Sequence, residues 1–418
     1  MEAEWSLARL GDCGTWLSGG TPSKSKAEYW GGALPWVTSK DLYVRYVDDA
    51  EQGLTDRGAT NGTRVVGADA LLIVVRSMAL ANGLMIGLTR RTVAFNQDVK
   101  ALVPRSDITP RFLMFSLWGH AARIRELIDE ASHGTKRLRT ELLKDFTIPL
   151  PPWKDQRAIA SVLGALDDKI ENNRRTADAA EAVWLTAVSR ALADAPRVQV
   201  ADLIAAGTLV VNDGYRAKNS ELAVAGIPFV RAGNLTADGL ALDDADLVPP
   251  DVVIRAGFKI AHPWDTAFTS KGTVGRITLV DPQPEPFVYS PQVCFWRSTR
   301  PEALSPLVLH AWMRSARFIA QVNAVKGQTD MADYVSLRDQ RAMVINVPHV
   351  AAQRQAHDAA EPLARLAWGL RRESRTLAAI RDALLPKLVS GQIRVAVSDD
   401  PEEMVGAAMQ AHSAQTAA

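Results

Sequence analysis

The residues best suited to chemistry in this chain are cations set beside glycines. His133-Gly134-Thr135-Lys136-Arg137-Leu138-Arg139 puts three cations into four residues after a glycine, just ahead of the apolar run Phe146–Leu150. A loop of that composition offers cations and backbone amides to phosphate oxygens. The competing reading is a solvated charge run that caps the acids between Glu126 and Glu130. A second group follows a Pro-aromatic-Val strand in two places, as Thr38-Ser39-Lys40 and as Arg231-Ala232-Gly233-Asn234. A third is Arg76-Ser77, with a counterpart in Ser270-Lys271-Gly272-Thr273. Lys24 and Lys26 flank a Gly-Gly-Thr-Pro turn, and Lys326-Gly327-Gln328-Thr329 adds Lys326 and Gln328. Lys, Arg, Ser and Thr hold phosphates, whereas Arg, Lys, Asn and Gln read base edges. Trp36 and Phe229 follow proline in apolar strands and read as core rather than as stacking platforms.

Catalytic chemistry has no comparable signal. Adenine amino-methyltransferases carry Asp/Asn-Pro-Pro-aromatic, but Pro151-Pro152-Trp153 follows Leu150 and lacks the acid or amide. There is no glycine-rich phosphate loop ending in Gly-Lys-Ser/Thr. Asp167-Asp168-Lys169 superficially resembles a nuclease cluster, yet it sits in a periodic helix where such residues normally face water. The seven histidines lack zinc spacing, and neither His133 nor His310 has a nucleophile placed beside it. No bound cofactor or metal is expected in this chain.

The 418 residues suit two or three domains, and 47% hydrophobic with 23% charged residues is an ordinary globular composition. No run of eighteen apolar residues predicts a membrane span, and Met1–Leu10 lacks the apolar stretch of a secretory signal. Cys13 and Cys294 are two isolated thiols, which fits a reducing cytoplasm and no disulfide framework. The net charge of +1 argues against a nucleic-acid binder unless charge is segregated onto one face.

The elements that must position these cations come twice. Leu34-Pro35-Trp36-Val37 recurs as Ile227-Pro228-Phe229-Val230, and Asp41-Leu42 as Asn234-Leu235. Phe95-Asn96-Gln97-Asp98-Val99 recurs as Tyr289-Ser290-Pro291-Gln292-Val293. Ile148-Pro149-Leu150-Pro151 with Gln156-Arg157 recurs as Ile345-Asn346-Val347-Pro348 with Gln353-Arg354. His133-Gly134-Thr135 falls where Lys326-Gly327-Gln328 falls. Five matches in one order point to duplication. Each repeat begins with strands, such as 70–75 and 275–280, and a short helix near 111–128 or 306–322. Each ends in a long helix, near 153–192 and 351–389. The first seam is Ile159, Leu163, Leu166, Ile170, Ala177, Ala180 and Trp184. The second is Leu363, Leu366, Leu370, Leu377, Ile380, Leu384 and Leu388. Their alternating spacing of four and three is that of a coiled coil. Asn173 on the first seam either fixes register or marks a wet position where the helices diverge. Pro362 and Pro386 raise a late start or kinks, and Gly391 stands where a cap belongs. The fold class expected is α+β: two tandem α/β domains separated and joined by two long helices in an antiparallel coiled coil. The boundaries are 1–150, 151–194, 195–350 and 351–395, followed by a disordered tail over 396–418.

The ordered motifs resemble one family. Gly19-Gly20-Thr21-Pro22, Tyr29-Trp30, Leu34-Pro35-Trp36-Val37 and Asp41-Leu42 resemble the opening of a target recognition domain in type I restriction-modification specificity subunits. Ile148-Pro149-Leu150-Pro151-Pro152, Gln156-Arg157-Ala158-Ile159-Ala160, Leu163, Leu166-Asp167 and Ile170 resemble the start of that family's central helix. Leu384-Leu385-Pro386-Lys387-Leu388-Val389-Ser390-Gly391-Gln392-Ile393 resembles its closing motif. The second repeat departs in lacking Gly-Gly-Thr-Pro and in having Val347-Pro348-His349-Val350. The resemblance implies two recognition domains at opposite ends of an antiparallel helical pair. Each would read half of a bipartite, asymmetric double-stranded DNA site, with helix length setting the gap. It implies two methyltransferase (M) subunits as partners, joined by restriction (R) subunits. S-adenosylmethionine, ATP and magnesium would belong to those partners. The other readings are a recognition subunit of a related phage-defence or modification complex, and a helical scaffold that does not touch DNA.

Overall fold

The computed structural model describes residues 5–130, 135–236, 239–327, 333–395, 398 and 400–416. His133, Gly134, Gln328 and Thr329 lie outside these residues. The chain divides into two units, 1–171 with 375–418, and 172–374.

In the first unit the apolar run Leu71–Val74, buried throughout, lies in a five-stranded sheet. Its order is Gly14–Ser18, Val99–Pro104, Leu71–Val74, Ile86–Thr89, Tyr46–Val47. Strands buried on both faces read as continuous apolar runs, as this one does. A four-stranded sheet runs Gly53–Leu54, Trp30–Val37, Val93–Phe95, Arg64–Val66, in which Phe95 pairs in parallel with Val37. Ser6–Arg9 pairs with Thr147–Leu150, so the two ends of the domain meet just before the long helix. The second unit repeats the scheme. Leu209–Asp213, Val293–Ser298, Thr266–Thr269 and Ile277–Leu279 form one sheet. Tyr289 pairs in parallel with Val230, and Arg197–Gln199 pairs with Val344–Asn346.

The short helices differ from expectation by being broken in two. Pro110–Gly119 is followed by Ala121–Arg125, and Pro306–Met313 by Ala316–Val325. His120 and the Arg314-Ser315 pair interrupt them, Ser315 accepting from the Phe318 amide as a new cap. Residue 128, expected in the helix, begins the strand Ile128–Glu130.

The long helices are Trp153–Leu192 and Val350–Val389, each running from one unit into the other, and Pro362 and Pro386 do not break the second. Gly391 has φ +77°, and its amide bonds to the Leu388 carbonyl at 3.2 Å, as a left-handed cap should. In the first unit Ile159, Leu163, Leu166, Leu384 and Leu388 are buried in one core. In the second, Ala177 and Ala180 meet Ala367, while Ala356, Ala360 and Ala364 are buried as well. Here the expected leucine seam is corrected at Leu366, which is 46% exposed, whereas Leu363 and Leu370 are half-buried and pack against the alanines. The most deeply buried positions are instead the alanines one position along, Ala364 and Ala367. Within this unit Asn173 pairs with Glu373, and Asp178 and Glu181 with Arg371, which makes the pairing antiparallel. Asn173 is 1% exposed and donates to Glu373 at 2.8 Å, so its amide is buried and bonded across the helix pair.

The disordered tail is also corrected. Pro401–Thr416 is a helix, with Asp400 accepting from the Glu402 amide at 2.9 Å and two acids in its first turn. Met404 and Ala408, four residues apart, are buried in the first unit's core. Composition hid this because only two apolar positions are needed when a core is already there to receive them.

Candidate nucleic-acid interface

A chain of backbone hydrogen bonds collects the separated candidates of the first unit along one edge. Asn96 N–H donates to the Val37 carbonyl (3.0 Å), Val75 N–H to Asp98 (2.8 Å), and Leu138 N–H to Val75 (2.9 Å). Gly20 N–H donates to Phe95 (2.9 Å). The Gly-Gly-Thr-Pro turn, Thr38-Ser39-Lys40, Arg76 and Lys136-Arg137 are thereby linked. The second unit repeats every bond. Ser290 donates to Val230 (2.9 Å), Ser270 to Gln292 (2.9 Å), Val335 to Ser270 (2.9 Å) and Tyr215 to Tyr289 (2.7 Å). Gly214 occupies the place of Gly19: a Cβ at either would lie 2.1–2.3 Å from the carbonyl oxygens of the equivalent strand end. The second repeat therefore keeps the one glycine of Gly-Gly-Thr-Pro that the close approach requires.

The basic cluster is a strand rather than a loop. Lys136–Leu138 lies between Ile128–Glu130 and Arg76–Ser77. Arg137 stands directly opposite Arg76 on one side and Asp129 on the other. Like charges in direct cross-strand register are destabilising, so this arrangement calls for anions. Asp129 supplies one, reaching Arg137 at 3.5 Å and Arg139 at 3.1 Å, and Glu130 takes Lys136 at 2.8 Å. These pairs realise the competing reading of the cluster, a charge run that caps those acids. Arg76, Lys136 and Arg137 outnumber Asp129 and Glu130 by three to two on this small sheet, and Arg139 follows directly after it. The second unit varies the theme: Lys271 bridges Tyr334, with Nζ 4.7 Å from the ring centroid. Lys326 ends the helix Ala316–Val325.

The loop candidates divide. Lys24, Ser39 and Lys40 line a groove with Thr21, Trp36, Asn96 and Gln97, and neither lysine has an ion-pair partner among the described residues. Lys26 donates to the Tyr29 hydroxyl at 3.1 Å. Thr38 turns inward: its amide and hydroxyl both donate to Asp41 at 2.8 Å. Asn234 is 8% exposed, accepting from the Arg231 amide (2.8 Å) and donating to the Ala241 carbonyl (3.2 Å). Asp41 and Asn234 thus hold equivalent turns, and Asn234 is a positioning residue there. The Arg231 guanidinium faces Asp246 at 2.8 Å. Trp36 and Phe229 are core, at 4% and 3% exposed.

Two further residue sets acquire roles that sequence gave only as motifs. Gln156 accepts from the Thr109 amide (2.8 Å) and donates to Asp107 (3.2 Å) and Pro151 (3.0 Å). Gln353 does the same with Ser305 (2.9 Å), Ala303 (2.8 Å) and Pro348 (2.9 Å). Each latches a long helix to its domain. Asp167, expected to face water, is buried and accepts from Arg381 at 2.7 Å, while Asp168 forms a two-pronged pair with Arg111 (2.8 and 2.9 Å). The nuclease look-alike is a helix-docking network. Tyr46 packs beneath it with Arg90 4.1 Å from its ring centroid, and burial, reinforced by Asp167, raises its phenol pKa. His310 is a buried, neutral core histidine, its pKa lowered to about 3 by burial and then by Arg314 and Arg371.

Among the described residues no helix is long and apolar enough to cross a membrane, and no three ligating side chains converge as a metal would need. Comparison with known proteins agrees with this arrangement. Residues 2–182 match the family model "Type I restriction modification DNA specificity domain". The chain is 24% identical over 420 aligned residues to the type I restriction enzyme MjaIX specificity subunit of Methanocaldococcus jannaschii, covering 94% of each. It is 31% identical over 168 residues to the EcoR124I/EcoR124II specificity subunit of Escherichia coli, covering 40% of this chain and 41% of that one. The crystal structure of a type I restriction-modification S subunit from M. genitalium shares the fold, with TM-score 0.58 at 13% identity over 92% of this chain and 96% of the other. With its duplicated α/β domains and paired helices, this chain carries a type I restriction modification DNA specificity domain over residues 2–182 and is similar along its length to the specificity subunits of such systems.

Proposed function

We propose that domains 1–150 and 195–350 each read one half of a bipartite, asymmetric double-stranded DNA site through the two equivalent hydrogen-bonded edges. The single observation carrying this reading is that the same backbone ladder places basic or polar residues at the same step in both units: Arg76 and Arg137 in one, Lys271 and Tyr334 in the other. Two readers of one design with different side chains suit a site whose halves differ in sequence. Lys24, Lys40, Arg76, Arg137 and Arg139 face phosphates in the first half, with Ser39 beside them. Arg231, Lys271 and Lys326 do so in the second. Lys26, Lys136 and Thr38 shape the edge by holding Tyr29, Glu130 and Asp41.

The long helices carry two methyltransferase subunits, which restriction subunits join in the cytoplasm. S-adenosylmethionine, ATP and magnesium act in those partners. The test is a map of methylated adenines in a host carrying the chain and its partner genes. A bipartite motif that disappears on deletion of this chain is the expected result. An unaltered methylation pattern overturns the reading.

A further inference from the structure

In the groove of the first unit one polar side chain is held ready without being used up. Gln97 is exposed and accepts the Thr21 hydroxyl on its Oε1 at 2.6 Å. Thr21 belongs to the Gly-Gly-Thr-Pro turn, which the Gly20–Phe95 hydrogen bond fixes against the Gln97 loop. Its hydroxyl engages one lone pair of the amide oxygen. The second lone pair and both N–H groups of Nε2 have no partner among the described residues. The groove around it is lined by Lys24, Ser39 and Lys40, by the acids Asp41 and Glu51 with Gln52, and by Trp36 as its wall. Asn96 and Asp98, on either side, hold each other: Asn96 Oδ1 accepts from the Asp98 amide at 3.1 Å. Gln97 is the member of its loop left facing outward.

We infer that Gln97, oriented by Thr21, is a specificity-determining residue that reads one purine edge in the half-site of the first domain. A donor and an acceptor side by side match adenine, whose major-groove edge offers N7 as acceptor and the N6 amino group as donor. The equivalent position in the second unit is Pro291, which has no side-chain donor or acceptor. The asymmetry therefore confines this contact to one half of the site. The inference rests on the DNA-reading function proposed above.

The experiment is selection of bound duplexes from a randomised library by the full chain co-expressed with its methyltransferase partner. Wild type is compared with Gln97→Ala, Gln97→Glu and Thr21→Val. Gln97→Ala relaxes a single position in one half-site, lowering discrimination there about tenfold or more, and leaves the other half-site intact. Gln97→Glu replaces the donors by an acceptor and moves that position from adenine toward cytosine, whose N4 amino group donates. Thr21→Val, which removes only the orienting hydroxyl, relaxes the same position less. A residue that merely supports the fold would weaken every position alike and would not switch a base. If wild type selects a bipartite motif and all three variants select the same one, the Gln97 inference is overturned while the DNA-reading function stands. If wild type selects no motif, both fall.

Discussion

The opposed arginines of the first unit give the most direct electrostatic test. Arg76 and Arg137 face each other across the Arg76–Ser77 and Lys136–Leu138 strands, and among the described residues only Arg137 has a carboxylate near it, Asp129 at 3.5 Å. A protein that neutralises phosphates shows a log–log salt slope of about −0.9 for each phosphate contacted. Replacing both arginines by alanine therefore makes the slope shallower by about 1.8. Between 50 and 200 mM salt, the affinity lost by the double variant is then about tenfold less than that lost by wild type. The opposite perturbation is Asp129→Asn, which frees Arg137 and Arg139. Both are about half exposed, at 51% and 54%, so the pair energy surrendered is small, about 1 kcal/mol or less. Binding should tighten by up to about fivefold. The assay is fluorescence anisotropy of the assembled complex on its methylated duplex across a salt series. An unchanged slope in Arg76→Ala with Arg137→Ala, or weaker binding in Asp129→Asn, refutes the placement of this sheet against phosphate.

Three other outcomes follow from packing and titration. Gln353→Ala leaves the buried Ser305 amide without its acceptor and should cost about 2–4 kcal/mol in urea unfolding, a loss under about 0.5 kcal/mol counting against the latch. Ala367→Leu should destabilise by about 1–3 kcal/mol because its neighbours Ala177 and Ala180 leave no room, whereas Leu366→Ala should stay within about 0.5 kcal/mol; the reverse order would restore the leucine seam. His310 titrates near 6.5 when unfolded but at about 3 when folded, so the unfolded chain takes up its proton first. Its contribution is complete above pH 6.5 and declines by about 1.4 kcal/mol per pH unit as pH falls toward 3. The stability difference between wild type and His310→Gln should follow that course, and parallel pH curves would show that His310 is not held neutral.

Much of the architecture was legible because it is written in local periodicity and in duplication. The two long helices, the strand runs such as 70–75, and the proline-led motifs announce themselves without tertiary contacts. Gln156 and Gln353 were visible as a repeated motif, but their work as latches was not, since their partners lie 47 to 50 residues away. The candidate site was half legible for the same reason. Side-chain type nominated Lys40, Arg76 and Arg137 together with Thr38 and Asn234, and could not foresee that the polar groups of the last two are taken up inside turns. Gln97 escaped selection because a lone glutamine carries no signal until Thr21 is placed against it.

The sequence by itself determined that there are two like domains, each followed by a long amphipathic helix, because spacing along the chain is all that those features need. Tertiary structure decided what depends on residues distant in sequence meeting. It set two arginines in direct register, moved the buried helix position from Leu366 to Ala367, buried Asp167 against Arg381, and ordered the tail on a core already formed. Charge and volume act through space, so a composition near neutrality and a stripe of leucines could not reveal where either would be concentrated.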